Sequence, residues 1–347
     1  MISNMTLDPE FVVYTAAHPV PVALATQIGV VPGAAGASSP VDPGILAARQ
    51  KMESTISGVF VKFLPSLDLV TETKHTIRSF DGAEITIHEF VRKDLPEPTK
   101  PSPAVLYLHG GGFVCCPIEN LARPCMAQFV CDFGVRTFGV EYRYAPEYPN
   151  PTPIEDCFAA LKWLSQSAET LKIDPARIAI FGESAGGGLV AGLALMARDR
   201  ELSPPIAKQL MLYPMLDDRS SKRHYNKDSC RDQSLTQMID LLDACWSVYL
   251  GAKVGRAEQS ELTNVSVYAS PARATDLTGL PPAYIEVGGL DWFRDEGIQF
   301  ATALAKADVD VEFHLYRGLS HIYDLAAPDI SATKNAKDNR RRAIIGI

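Results

Sequence analysis

The spacing of apolar residues changes character near residue 75. From there His75–Ser79 and Ala83–Val91 alternate on either side of Asp81-Gly82, a pattern that predicts a β-hairpin. After a polar, proline-rich spacer (Asp94–Pro103), Ala104–Leu108 is a short unbroken apolar run, as in strands covered on both faces. Strand and helix patterns then alternate. Helices are predicted at Leu121–Asp132, Ile154–Ala168, Gly188–Arg200 and Asp295–Ala307. Strands are predicted at Val135–Tyr142, Arg177–Phe181, Ala207–Tyr213, Ala283–Val287 and Val309–Tyr316. A hairpin leading into such a βαβα series predicts an α/β fold: a mostly parallel central sheet of about eight strands, with helices on both faces.

Two stretches stand outside this alternation. The first sixty residues are cut into short pieces by Pro19, Pro21, Pro32, Pro40, Pro43 and Gly33-Ala34-Ala35-Gly36, and only Ile45–Ile56 has the spacing of an amphipathic helix. Between Pro214 and about Leu280 no strand pattern occurs, while Gln233–Leu250 has helical apolar spacing. The chain therefore divides into a segment 1–60 draped over a main domain 61–347, with an insertion at about 215–265. An insertion at that point sits above the carboxyl ends of the strands, where ligands bind in such sheets. It is expected to form a helical lid with the N-terminal segment; the alternative is a long surface excursion.

Composition narrows the class. With 347 residues, 46 % hydrophobic and 21 % charged, the chain reads as a globular protein able to bury a large core. A net charge of −8 argues against a nucleic-acid partner, and Arg340-Arg341-Arg342 reads as a solvated chain end. No apolar run approaches the length of a membrane span. Met1–Glu10 lacks the basic residues of a presequence. Seven cysteines in an irregular, odd set, with no CxxC pair, read as reduced thiols and not as a zinc site. A cytoplasmic address, no metal and no cofactor are the expectations; a homodimer is compatible with all of this.

The chemistry begins at Gly182-Glu183-Ser184-Ala185-Gly186-Gly187, between the Arg177–Phe181 strand and the helix that follows. Strand, Gly-x-Ser-x-Gly and helix in that order describe a nucleophile elbow, which lifts the serine above the sheet. A glycine-rich corner with an incidental serine fits the five residues equally well. A second motif, His109-Gly110-Gly111-Gly112-Phe113, closes the Ala104–Leu108 strand. Consecutive glycines let backbone N–H groups converge on a developing oxyanion. A phosphate loop is disfavoured because no lysine follows the glycines and no GxGxxG spacing is present.

A serine nucleophile needs a base, and the base an orienting acid. Of the seven histidines (18, 75, 88, 109, 224, 314, 321), His321 follows the last strand on the loop Arg317-Gly318-Leu319-Ser320, at the ligand-binding end of the sheet. His88 and His314 lie within strands, and His18 and His224 lie outside the sheet. For the acid, Asp291 follows the strand ending at Val287 on Gly288-Gly289-Leu290. Its rivals Asp295 and Glu296 open a helix, where carboxylates favour the N-terminus without further duty, and Asp324 falls on the next element. The order Ser184…Asp291…His321 is that of an α/β-hydrolase.

Taken together, HGGGF at 109–113, Tyr142-Arg143-Tyr144-Ala145-Pro146-Glu147, GESAGG at 182–187, Asp291-Trp292-Phe293-Arg294-Asp295-Glu296 and Ser320-His321 resemble the hormone-sensitive lipase family (family IV esterases) of α/β-hydrolases, over residues 74 to about 325. The resemblance implies Ser184 as nucleophile, His321 as base and Asp291 as acid. It also implies Gly111, Gly112 and Ala185 as oxyanion amides and His109 as a support of the glycine loop, while Gly110, Gly182, Glu183 and Gly186 support the motifs they belong to. The two stretches outside the sheet match the family's cap. The family commonly has Asp at Glu183, Leu at Tyr144, Pro-Leu at Trp292-Phe293 and Phe at Tyr323; none of these departures removes a catalytic group.

The expected activity is hydrolysis of short- to medium-chain carboxylic esters through an acyl-enzyme, with a small ester and water as the only partners. Activity is expected to rise as His321 gives up its proton. Lactone, thioester or amide hydrolysis by the same triad is the enzymatic alternative. A non-catalytic receptor on this fold is the alternative from another class, disfavoured by the presence of His321. Cys115 and Cys116, just past the glycine loop, read as packed, inert thiols.

Overall fold

A computed structural model describes residues 6–18, 49, 53, 67–96, 98–220, 242–251 and 264–347. Its centre is an eight-stranded sheet in the order β1-β2-β4-β3-β5-β6-β7-β8. The strands are β1 (Val70–Arg78), β2 (Glu84–Arg92), β3 (Ser102–Leu108), β4 (Arg136–Glu141), β5 (Ile173–Glu183), β6 (Lys208–Leu212), β7 (Ala283–Gly288) and β8 (Val311–Tyr316). β1 and β2 form the predicted antiparallel hairpin, turning at Gly82 with φ +84°. β2 is antiparallel to β4, and every further pair is parallel.

Alternate residues of the central strands feed two separate cores, which is why β3 reads as unbroken apolar sequence. Ala104, Leu106 and Leu108 join Ile178 and Ile180 on one face, against the helices Thr152–Gln166, Ala185–Asp199 and Arg294–Lys306. Val105 and Tyr107 join Ala179, Phe181, Leu210 and Leu212 on the other, against the helices Arg123–Phe133 and Ser331–Ile345. Because β3 to β8 run parallel, the loops after β3, β5, β6, β7 and β8 all leave from one edge. His109, Ser184, Tyr213, Asp291 and His321 lie on those loops.

The alternation held to within a few residues at each boundary. The largest shifts are at strand starts, β1 beginning at Val70 and not at His75, and β5 at Ile173 and not at Arg177; the helix after the elbow begins at Ala185 and not at Gly188. The helices Pro9–Ala17 and Ser331–Ile345 were not anticipated. Most of Ile45–Ile56 lies outside the described residues, although Arg49 and Glu53 are helical. Of Gln233–Leu250, residues 242–249 are helical and 233–241 lie outside the described residues, as do His224 and Cys230. Among the described residues no helix is long and apolar enough to cross a membrane.

Candidate active site

Ser184 sits between β5 and the helix Ala185–Asp199 with φ +55° and ψ −121°, a left-handed conformation that costs a non-glycine residue about 1–3 kcal/mol. Three backbone bonds hold it there: its N–H donates to Leu212 O at 2.9 Å, and its carbonyl accepts from Gly188 at 3.1 Å and Met215 at 2.9 Å. Its flanking glycines are required by space. A Cβ on Gly186 would stand 2.0 Å from Leu108 O, and one on Gly182 would stand 2.6 Å from the Gly186 carbonyl. The incidental-serine alternative supplies no reason for such crowding.

The Ser184 hydroxyl lies 3.1 Å from His321 Nε2, and His321 Nδ1 lies 2.9 Å from Asp291 Oδ2. A carboxylate only accepts, so Nδ1 carries the proton and the Nε2 lone pair faces the serine. Asp291 is 3 % exposed, and its other oxygen accepts from the Phe293 N–H at 2.9 Å, which fixes the carboxylate plane. Three aromatic rings surround the imidazole: Tyr213 at 4.8 Å, Phe293 at 5.1 Å and Trp292 at 5.3 Å between centroids. Tyr213 and Phe293 are buried, whereas Trp292 is half-buried.

The glycine loop faces the same serine. Gly111 and Gly112 have φ of +112° and +63°, and a Cβ on Gly111 would meet Cys115 O at 2.2 Å. Among the described residues neither amide has a protein acceptor. The Ala185 amide opens a helix and is one of its unpaired N-terminal donors. Glu183 and His109 brace this loop from behind. Glu183 Oε1 accepts from the Gly110 N–H and from the Tyr107 hydroxyl, both at 2.8 Å. His109 stacks on Tyr142 at 4.1 Å and donates from Nδ1 to Gly110 O, while the Tyr142 hydroxyl donates to His109 O at 2.7 Å. Burial holds His109 down to about 4, so it stays neutral as a loop support should.

Burial also lifts the Glu183 carboxyl to about 8, since its Oε2 has no partner among the described residues. The folded state therefore keeps a proton that the unfolded chain has lost above about pH 4.5. Stability conferred at this site falls as pH rises from about 4.5 towards 8, then levels off. Glu183→Gln keeps the accepting oxygen and removes the titration. Its melting temperature is expected to match the wild type near pH 4.5 and to exceed it by a growing margin of a few degrees up to pH 8. A constant difference across that range would refute the assignment. This loop-bracing duty had no signal in the sequence beyond the motif position itself.

Of the basic cluster at the chain end, Arg341 and Arg342 are exposed as expected, but Arg340 is not solvated. Arg340 is 1 % exposed, because Ser331–Ile345 folds back as a helix against the sheet. It pairs with Glu286 of β7 at 2.5 Å and with Asp324 at 2.8 Å. Glu286 also accepts from Tyr284 and Tyr323, and Asp324 accepts from Tyr213 at 3.0 Å. Asp324, weighed as a rival acid, thus belongs to this network and not to the His321 contact. Of the other two rivals, Glu296 is buried and accepts from the Leu216 N–H at 2.6 Å, and Asp295 accepts from the Arg294 guanidinium at 2.5 Å.

Residues of the insertion reach the glycine loop, and residues of the N-terminal stretch reach its neighbours. Phe113 stacks on Tyr249 at 4.0 Å and tilts against Trp246 at 5.3 Å, and a Cβ on Gly112 would stand 2.8 Å from Cys245 Sγ. Glu53 accepts from the Cys116 N–H at 3.4 Å, and Arg49 pairs with Glu147 at 2.6 Å. Cys115 and Cys116 are buried with sulfurs 3.2 Å apart, and burial pushes the Cys115 thiol well up, away from its reactive form.

A family model described as alpha/beta hydrolase fold matches residues 105–325. The chain belongs to that family. Esterase LipI of Mycobacterium tuberculosis is 34 % identical over 288 residues, covering 82 % of each chain. Ethyl acetate hydrolase of Pseudomonas putida is 30 % identical over 279 residues, 79 % of this chain and 81 % of the relative. Among solved structures, a bacterial heroin esterase superposes with a TM-score of 0.77 at 34 % identity, covering 98 % of this chain and 97 % of its own. This alpha/beta hydrolase is accordingly a carboxylic ester hydrolase of the hormone-sensitive lipase type.

Proposed function

We propose that Ser184, His321 and Asp291 form the triad that carries this ester hydrolysis. The observation behind the assignment is the continuous relay from Ser184 Oγ to His321 at 3.1 Å and on to Asp291 at 2.9 Å. His321 Nε2 takes the hydroxyl proton as Ser184 Oγ attacks the ester carbonyl carbon. The carbonyl oxygen, now an anion, accepts from the Gly111, Gly112 and Ala185 amides, and preorganised donors of this kind are each worth about 2.7–4 kcal/mol in the transition state. His321 then gives the proton to the departing alkoxy oxygen, the C–O bond breaks, and the acyl group stays on Ser184. Water attacks that acyl-enzyme with His321 again as base, releasing the acid and restoring the serine. Asp291 holds the tautomer and stabilises the imidazolium.

Arg49 and Glu53 of segment 1–60, and residues 242–251 of the insertion at about 215–265, serve as parts of a cap over the site. The contacts of Arg49, Glu53, Cys245, Trp246 and Tyr249 with the glycine loop and its neighbours support this. The same packing supports short to medium acyl chains, since Cys245, Trp246 and Tyr249 fill the space against Gly112 and Phe113; the likeness to an ethyl acetate hydrolase points the same way. Free thiols at six described cysteines support a cytoplasmic address. An organophosphonate titration tests the triad: one equivalent is expected to label the wild type at Ser184 and abolish turnover. Inactivation with the label on another residue would overturn the assignment.

A further inference from the structure

We propose that Trp292 is the recognition surface for an aromatic leaving group, so that the preferred substrates of this site are esters of phenols or similar aryl alcohols. The proposal rests on the triad assignment above and adds to it the chemical class of the alcohol. The imidazole of His321 is hemmed in by three rings, but two of them, Tyr213 and Phe293, are 0 % and 2 % exposed and have no free face to offer. Their hydroxyl and packing contacts are also spoken for. Tyr213 donates to Asp324, and Phe293 belongs to the core beneath the sheet edge. Trp292 differs. It packs against the same core but stays half-buried, makes no hydrogen bond to His321 or Asp291, and stands 5.3 Å from the imidazole with the ring planes 42° apart.

Position makes that indole relevant to the alcohol and not to the acyl group. The oxygen that leaves must come within about 3 Å of His321 Nε2 to collect its proton. A ring bonded directly to that oxygen is thereby carried into the zone of about 4.5–7 Å in which aromatic rings attract one another edge-to-face or offset-stacked. On the side of the glycine loop, by contrast, the rings of Phe113, Trp246 and Tyr249 are already packed on one another. A saturated ring would gain contact area against Trp292 but not the quadrupolar term, so the selectivity expected is for aromatic over merely apolar alcohols.

The backbone of Trp292 lies in the same turn that sets the acid. Asp291 N–H donates to Gly288 O at 3.1 Å, Arg294 N–H donates to Asp291 O at 3.3 Å, and Phe293 N–H caps the Asp291 carboxylate. A ring on this turn is thus held in fixed relation to the triad, which keeps low the ordering cost of binding a partner.

The experiment compares phenyl acetate with cyclohexyl acetate, which share an acyl group and differ in the aromaticity of the alcohol. In Trp292→Leu the ratio of kcat/KM, phenyl over cyclohexyl, is expected to fall about three- to tenfold relative to wild type, mainly through KM. Trp292→Phe is expected to keep most of the ratio. A ratio that stays within experimental error, whether both esters slow together or neither does, overturns the proposal and leaves Trp292 as packing for His321. A second measurement needs no variant: phenol is expected to inhibit the wild type several-fold more tightly than cyclohexanol, and equal inhibition counts against an aryl site. Failure of the triad itself would look different, as turnover of both esters persisting in Ser184→Ala.

Discussion

Ser184→Ala is expected to lower kcat on a small nitrophenyl ester by at least about 10⁴-fold while leaving the protein as stable as the wild type or slightly more so. The loss is that large because, among the described residues, the hydroxyl bonded to His321 Nε2 is that of Ser184. The nucleophile must lie within reach of His321 Nε2, which Ser184 Oγ meets at 3.1 Å from a backbone bent to φ +55° for that purpose. What survives is the contribution of binding and of the oxyanion amides acting on water. The fold should not notice the change. The strained backbone and its bonds to Leu212, Gly188 and Met215 belong to the main chain and remain. Initial-rate kinetics alongside thermal unfolding decide the matter, and a variant retaining a tenth of wild-type kcat would remove Ser184 from the role of nucleophile.

The second large effect is on stability. Arg340→Ala is expected to destabilise the chain by about 3–5 kcal/mol in denaturant unfolding, because it strands two buried carboxylates without their cation. Glu286 is 0 % and Asp324 4 % exposed, and the guanidinium sends two hydrogen bonds to the first and one to the second. The surviving tyrosine donors, Tyr284, Tyr323 and Tyr213, satisfy lone pairs but carry no charge. Adding Glu286→Gln and Asp324→Asn to the alanine variant is expected to recover a substantial part of the loss. A midpoint unchanged by Arg340→Ala, or a triple variant no better than the single, would show that the charges are not the reason for the cluster. The network also ties the chain after His321, through Tyr323 and Asp324, to the loop after β6, through Tyr213. Damage to it is therefore expected to reach the triad.

Much of the fold and site was legible without coordinates, for reasons visible at particular residues. β3 and β5 announce themselves because strands covered on both faces must be apolar at consecutive positions, as at Ala104–Leu108. The turn after β5 is legible because Gly182 and Gly186 stand where any Cβ would meet backbone at 2.0–2.6 Å. His321 and Asp291 could be picked out because parallel strands deliver their following loops to one edge. Arg340 was misread for the converse reason. A run of three arginines near a chain end is a solvated surface by composition, and its counter-charges lie 16 and 54 residues away in sequence. Glu183, within its motif, carried no sign that its carboxyl braces the oxyanion loop.

The division follows from the range of the forces concerned. Local sterics and the periodicity of burial act over a few residues, so the succession of strands, the strained turn around Ser184 and the glycine loop can be read directly along the chain. Whether a charged side chain ends in water or in a buried pair depends on which distant groups the packed sheet and its last helix bring together. The bracing of the loop by Glu183, the burial of Arg340 and the place of the half-buried Trp292 ring beside His321 depend instead on packing between distant residues, where desolvation makes each partner's presence or absence count.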